Sequence, residues 1–347
     1  MGLLKSTPKT TEPPPGWPSD SSLDFDGLLS SNLWIDQPWA LRHIWKLRLT
    51  GKISGKRARQ LKQFVRDGYT VLDLDLDPAV YGEMDEAVER LWREKPSDVA
   101  YAYSGFLKRL SDGDEAERLP SYRVADFHTY SDAARSLFLQ REIFDFLHLV
   151  FQEPAVATQS LYFEWGSGQP LHRDPVYVEM KPASHLLAAW IALEDIGPDC
   201  GPLVYVPGSH RLPYYQFRTG HHVFDFSSFG DADREAGEAW DREHFEAAGL
   251  KVEPLLCKRG QALIWHHSLL HGGSAPRDGN LTRKSFVVHY STLSTMDEVR
   301  NSYLDPALGE GAPPELMISR TLLEDGECRG YDSPLHAASQ APEGSGD

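Results

Sequence analysis

The sequence predicts an α+β chain in which N-terminal helices flank an antiparallel barrel or double-sheet jelly roll. Two textures carry that prediction. Before about Ala155 the apolar residues recur at helical spacing between capping and breaking residues. After it, short apolar runs alternate with Gly, Pro and Asp, as in all-β architectures built from short strands.

In chain order, residues 1–25 are rich in Pro, Ser and Thr and read as a flexible N-terminal segment. Lys56 to Arg66 places Leu61, Phe64 and Val65 on one helical face and stops at Asp67-Gly68. The stretch from Tyr69 to Leu76 alternates like a strand. Pro78 opens a helix at its first position, where the missing N–H costs little, and that helix runs to about Lys95. Ser131 caps a helix entering Ala133-Ala134, and Arg141 to Phe151 offers Ile143, Phe144, Phe146, Leu147 and Val150 for burial. The expected strands are Val156–Phe163, His185–Leu193, Leu203–Val206, Gln261–His266 and Ser285–Tyr290. Residues 211–250 interrupt them with a polar, acidic insertion, either a solvated surface excursion or a lid over the barrel mouth. Residues 26–332 are expected to form a single domain, and 333–347 a second flexible tail.

Composition narrows the function classes. The chain has 347 residues, 35 Lys and Arg against 51 Asp and Glu, and a formal charge of −16. That balance disfavours an extended nucleic-acid surface, which needs Lys/Arg contacts to phosphates. Three well-separated cysteines, Cys200, Cys257 and Cys328, form neither a disulfide framework nor a zinc pattern and read as reduced thiols. With neither a signal-peptide core nor an apolar run of membrane-spanning length, the expectation is a cytoplasmic protein without a membrane span. No feature specifies an oligomeric state.

The chemistry lies in His172-Arg173-Asp174. On an extended segment residues i and i+2 face the same side, so His172 and Asp174 can address one metal ion. Two histidines and one carboxylate make the face that holds non-heme Fe(II) with coordination positions left open. Three histidines are candidates for the third ligand: His266, His267 and His271. They lie 17, 16 and 12 residues before Arg283, an arginine suited to gripping the far carboxylate of an oxo-acid cosubstrate. The shortest interval best fits two antiparallel strands joined by a compact turn, and Gly272-Gly273 with Pro276 to Gly279 supply one. His271 is therefore the expected ligand, with His266 and His267 left to packing or supporting hydrogen bonds.

Three blocks in order, GQPLHRD, WIALEDIGPDCGPLVYVPGSH (190–210) and RGQALIWHHSLLHGGSAPRDGNLTRKS (259–285), resemble the phytanoyl-CoA dioxygenase family of Fe(II)/2-oxoglutarate oxygenases. The resemblance spans about Val156 to Ser291 and implies a double-stranded β-helix core with iron ligands His172, Asp174 and His271. It further implies that Arg283 pairs with the distal carboxylate of 2-oxoglutarate, that Trp190 lies beside the cosubstrate, and that His210 in the PGSH turn is near the site. This chain departs from the family pattern at two positions: Gly273 is an extra residue before Ser274, the serine that touches 2-oxoglutarate in relatives, and Arg173 stands where Gln is common. Arg123 is the N-terminal-half residue nominated for the cosubstrate.

The implied reaction is hydroxylation of an unactivated C–H bond in a small-molecule metabolite, using Fe(II), 2-oxoglutarate and O2 and releasing succinate and CO2. An intact Asp174 favours hydroxylation over halogenation, since halogenating relatives lack that carboxylate. The alternatives are desaturation or cyclisation by the same iron chemistry, or a non-catalytic jelly-roll protein that binds metal or ligand. Tyr162, Tyr177, His221 and His222 are the candidate substrate-lining residues.

Overall fold

The computed structural model describes residues 31–295, except 32, 98, 104–105, 115–116, 120–121, 154, 179–181, 219, 221, 225–228 and 293, together with Met317–Ile318. The expected terminal segments, His221 and Cys328 lie outside the described residues.

Helices dominate the first half. α1 (Ala40–Leu49), which the sequence reading did not anticipate, leads into α2 (Gly55–Asp67), whose first turn is capped by the Ser54 side chain accepting from Arg57 N–H. α2 ends where Gly68 adopts φ +79° and returns its N–H to Phe64 O. A side chain there would be strained and would also strike the His210 ring, since a Cβ would lie 2.6 Å from His210 Nδ1. α3 (Ala79–Glu94) follows β1 (Tyr69–Asp73), with Pro78 already in helical geometry and Asp77 accepting from Ala79 N–H. α4 (Asp132–Phe138) carries the expected Ser131 cap, and α5 is Arg141–Phe151.

Short strands β2 (Ala100–Tyr103), β3 (Phe106–Arg109) and β4 (Arg123–Ala125) precede the long β5 (Ala155–Phe163). The rest are β6 (Leu187–Ala192), β7 (Leu203–Tyr205), β8 (Glu253–Pro254), β9 (Gln261–His266), β10 (His271–Gly273), β11 (Ser285–Thr292) and β12 (Met317–Ile318). The major sheet runs β1-β9-β6-β11-β5-β4-β2-β3, with β12 added beside β5; the minor sheet runs β10-β7-β8. The fold is a jelly roll with helices packed on the outer face of its larger sheet, which places the chain in the α+β class.

Period-two alternation divides the core into two layers. Ala189 and Ile191, Ala262 and Ile264, and Phe286, Val288 and Tyr290 pack outward against α1–α5. Trp190, Leu263, Trp265 and Val287 point inward, where they meet Leu203 and Tyr205 of the minor sheet. The strands are thus apolar on both faces, and the inner layer is where the sequence's chemistry collects.

Buried imidazoles give this core a pH dependence. His128 stacks on Phe138 at 3.8 Å and burial pushes its pKa down to about 3; burial, then the neighbouring His266, does the same to His210. His267 is likewise held well below its ordinary value by burial. The unfolded chain binds protons at these sites near pH 6.5 and the folded chain does not, so stability present at neutral pH is lost progressively below about pH 6.5. Thermal melts should therefore show Tm falling steadily from about pH 7 towards about pH 5; a flat profile would contradict the burial of these rings.

Candidate metal centre

The three candidate metal ligands come from two segments paired through their main chains. His172 N–H donates to His271 O at 2.8 Å and His271 N–H returns to His172 O at 3.0 Å, so the two histidines sit opposite each other. This close approach needs glycine on the next residue, because a Cβ on Gly272 would lie 2.6 Å from Gln169 O. After His172 the chain stays extended through Arg173 and then enters a single 3-10 turn at Asp174, closed by Tyr177 N–H and Val178 N–H on Asp174 O.

The result is a three-donor face. Asp174 Oδ1 lies 3.8 Å from His172 Nε2 and 3.4 Å from His271 Nε2, and one ligand atom from each residue falls within 4.8 Å of the others. The opposite ring edges fix the tautomers: His172 Nδ1 is 3.0 Å from Pro170 O and His271 Nδ1 is 2.9 Å from Leu269 O. A carbonyl can only accept, so Nδ1 carries the proton and each Nε2 presents a lone pair to the shared space. Asp174 is oriented in the same manner, its Oδ2 accepting from Trp265 Nε1 at 2.7 Å and leaving Oδ1 free.

Electrostatics keep this face ready for a cation. Burial opposes ionisation of Asp174, but His271 and His289 outweigh it and hold the carboxyl well below its usual range. Burial, reinforced by His271, pushes His172 down to about 4, so its imidazole is neutral at physiological pH. Trp265→Phe removes the donor that fixes Asp174 while keeping the ring's bulk. Co(II) titration of that variant should show metal affinity reduced on the order of 10- to 100-fold; unchanged affinity would mean that the indole only packs.

Among the inward-facing aromatics lies a guanidinium with no ion-pair partner among the described residues. Arg283 is 1% exposed and makes a single long hydrogen bond, Nη1 to Gly201 O at 3.4 Å, while its Nε is without a partner. Burial lowers its pKa to about 10. Nearby carboxylates are engaged elsewhere: Glu164 takes Arg118 at 2.8 Å and Tyr122 at 2.5 Å, and Glu194 takes Lys284 N–H and the Thr282 hydroxyl. The guanidinium lies 5.6 Å from the Trp190 ring and 5.4 Å from that of Phe163. Trp190 Nε1 and Ser285 Oγ are also buried without partners. Unpaired buried donors are costly, and their concentration here is what an absent planar anion would satisfy.

The remaining predicted residues divide. Tyr177 is at the site, its ring 5.8 Å from that of His172. Arg123 is half-buried, shares its register position with Phe163, and is near enough to lower the pKa of His172. Tyr162 is placed elsewhere: alternation along β5 turns it outward into the helix-side core against Phe127. Ser274 is tied to Pro202 O through both its hydroxyl, at 2.8 Å, and its N–H, so it extends the pairing of β10 with β7 beyond the strand ends. His222 bonds Tyr215 O within the insertion. The His210 ring lies 5.1 Å from that of His266, tilted against it, and His266 Nε2 meets Asp36 at 3.1 Å.

Four contributors were missed: Trp265, His289, Ser285 and Gln169, whose Nε2 is 3.3 Å from His172 Nε2. His289 Nε2 stands 3.7 Å from Asp174 Oδ2. A signal for two of them existed, because Ser285, Val287 and His289 share one face of β11 by simple alternation, two residues on from Arg283.

The 211–250 insertion is more than a solvated excursion. It carries α6 (Asp231–Ala247) and is fastened to the metal-bearing segment. Buried Arg173, between the two first ligands, donates to Leu212 O at 3.0 Å, approaches Asp241 at 3.0 Å and lies over the Tyr214 ring. Phe224 N–H donates to Val176 O at 2.7 Å.

Fold and site together define a jelly-roll protein with a two-histidine, one-carboxylate metal face. The family model described as Phytanoyl-CoA dioxygenase (PhyH) matches residues 64–285, and the chain belongs to that family. It is 28% identical over 130 residues to the peroxisomal phytanoyl-CoA dioxygenase of Bos taurus, covering 36% of this chain and 34% of that protein. To the probable phytanoyl-CoA dioxygenase of Caenorhabditis elegans it is 32% identical over 129 residues, covering 36% of each. The chain thus spans about a third of the length of these two curated relatives. Among solved structures, the non-heme alpha ketoglutarate dependent carbocyclase SnoK from nogalamycin biosynthesis aligns with TM-score 0.52 and 20% identity over 70% of this chain and 85% of its own. The epimerase SnoN in complex with Fe3+, alpha ketoglutarate and nogalamycin RO aligns at 0.50 with 21% identity, over 78% and 97%. Both likenesses concern the fold. The donor set of this chain fits Fe(II), and its unpaired guanidinium fits 2-oxoglutarate, with O2 as the remaining reactant of the family's chemistry. No helix among the described residues is long and apolar enough to cross a membrane.

Proposed function

We propose that the protein is an Fe(II)/2-oxoglutarate-dependent dioxygenase that hydroxylates an unactivated C–H bond of a small-molecule metabolite. The observation that carries this reading is the pairing of a three-donor metal face with a buried, unpaired Arg283 in one inter-sheet layer. His172, Asp174 and His271 hold the metal; three protein ligands leave positions for a bidentate keto-acid and for O2. The bound metal supplies C–H oxidation coupled to cleavage of 2-oxoglutarate into succinate and CO2.

The chain's own residues do the rest. Arg283 takes the distal carboxylate of 2-oxoglutarate, with the Trp190 N–H and the Ser285 hydroxyl as further donors. Ser285 replaces Ser274 in that role, because its buried hydroxyl is unpartnered two residues from Arg283 while that of Ser274 is bonded to Pro202 O. Arg123 adds positive charge on the His172 side. Tyr177, packed near Phe224 of the insertion at 5.7 Å between ring centroids, forms the substrate-facing wall, and the insertion acts as a lid tied down by Arg173. The 26–332 unit works as one catalytic domain.

The test is succinate formation by purified protein with Fe(II), 2-oxoglutarate and O2 across a panel of small organic substrates. Formation that requires all three and stops in His172→Ala supports the reading. Iron binding with no 2-oxoglutarate consumption on any substrate, or turnover that survives the substitution, defeats it. Because SnoK is named a carbocyclase and SnoN an epimerase, the product's mass is the second readout: a gain of one oxygen marks hydroxylation, and an unchanged mass or loss of two hydrogens marks epimerisation or ring closure and desaturation.

A further inference from the structure

The chain is acidic overall, yet residues 40–66 hold nine of its 35 Lys and Arg and none of its 51 Asp and Glu. These residues are α1, the turn after it and nearly all of α2. Some of the charge is neutralised locally, since Lys56 pairs with Asp73 and Arg66 with Asp67. Arg42, Lys46, Arg48, Lys52, Arg59 and Lys62 have no ion-pair partner among the described residues. Two of them converge: Arg48 Nε and Arg59 Nη1 lie 3.7 and 3.8 Å from the point where a Cβ on Gly55 would sit. Neither guanidinium has an ion-pair partner among the described residues, so the two converging charges leave an unmet demand for an anion.

The same helix exposes its apolar residues. α1 buries Ala40 and Ile44 against the core, while Leu41, Trp45 and Leu49 are 53%, 60% and 64% exposed, with Trp39 beside them at 48%. Leu41, Trp45 and Leu49 follow at i, i+4 and i+8, so they form one outward stripe. By helical geometry Arg48 flanks that stripe on one side, and Arg42 and Lys46 on the other. The other exposed large apolar residues, Leu119, Val252, Leu256 and Leu281, lie outside this helical hairpin.

We propose that the α1–α2 face docks on an anionic lipid surface, with Leu41, Trp45 and Leu49 entering the headgroup boundary and the flanking Arg and Lys meeting lipid phosphates. A short helix with Trp and Leu on one face and basic flanks has the make-up of an interfacial anchor. Charge complementarity selects anionic over neutral lipid. Nucleic acid would satisfy the cations but offers no apolar phase for the leucines. A protein partner needs roughly 800 Å² of matched surface, whereas this stripe is one helix of 10 residues. The strongly acidic remainder of the molecule is repelled by the same surface, so docking occurs in a single orientation.

The test is co-sedimentation of the full chain with phosphatidylcholine vesicles and with vesicles containing about one-third phosphatidylglycerol. The chain should pellet with the anionic vesicles only and be released by high salt. Two exposed-site variants, Trp45→Ala with Leu49→Ala and Arg48→Glu with Arg59→Glu, should each lower the partition about tenfold or more at unchanged Tm. Failure to pellet with anionic vesicles, equal pelleting with neutral ones, or full retention of either variant overturns the proposal. So does an acidic protein or duplex DNA bound through this face in the absence of vesicle binding. None of these outcomes bears on catalysis at the metal face.

Discussion

Replacing His271 by Ala abolishes metal-dependent consumption of 2-oxoglutarate, a fall on the order of a thousandfold, while His266→Ala leaves the metal dependence in place. The two side chains are five residues apart and both buried, yet they serve different structures. His271 aims its Nε2 lone pair at the space shared with His172 and Asp174. Its pairing with His172 runs through the main chain, so alanine preserves the local backbone and the metal-free protein stays folded. His266 instead joins Asp36 to β9 and accepts from Ser268 N–H, so its loss lowers Tm without touching the metal. Thermal melts with and without Co(II) separate the two: metal-induced stabilisation vanishes in His271→Ala and persists in His266→Ala. The reverse pattern would show that the third ligand has been misassigned.

Arg283→Met makes the metal-free protein more stable and the enzyme inactive. A buried guanidinium with an unpartnered Nε and only a 3.4 Å hydrogen bond carries a desolvation cost that no ion pair among the described residues offsets. An unbranched apolar side chain of similar length removes that cost, and Tm rises by about 2–4 °C. The same change deletes the charge-assisted contacts to the cosubstrate, weakening 2-oxoglutarate binding by about 3 kcal/mol, or on the order of 100-fold. Thermal shift with increasing 2-oxoglutarate reads both effects in one experiment. A variant less stable than the parent that still responds to 2-oxoglutarate would show that Arg283 is a packing residue.

Much of the site was legible because it is encoded locally. His172 and Asp174 are two apart on extended chain, and His271 is distinguished from its neighbours by its interval to Arg283. Alternation along β11 would also have extended the list to Ser285 and His289. Tyr162 fails for the same reason that these succeed: β5 turns it to the helix-side face, while Phe163 faces Arg283. The sequence does not say which face of a strand buried on both sides looks toward the metal, since both faces are apolar. Trp265 was out of reach for another reason. Its indole meets Asp174 across 91 residues of chain, and no spacing rule reports such a contact.

The insertion shows the same limit. Its acidic composition is consistent with solvated surface, and α6 is indeed polar over most of its length, with Phe245 as its buried residue. What fixes it beside the three candidate ligands is Arg173 reaching Leu212 and Asp241, a contact made possible by the fold rather than by proximity in sequence. The sequence by itself singled out the three candidate metal donors that the fold brings together, because metal geometry demands particular donor types and strand periodicity fixes their spacing. It also determined the jelly-roll class, through short strands broken by turn residues. Only the tertiary structure decided which buried donors lack partners, which strand face meets the site, and that α1 leaves a tryptophan–leucine stripe uncovered among unpaired cations. Those are properties of what surrounds a side chain, and surroundings are set by packing between distant segments.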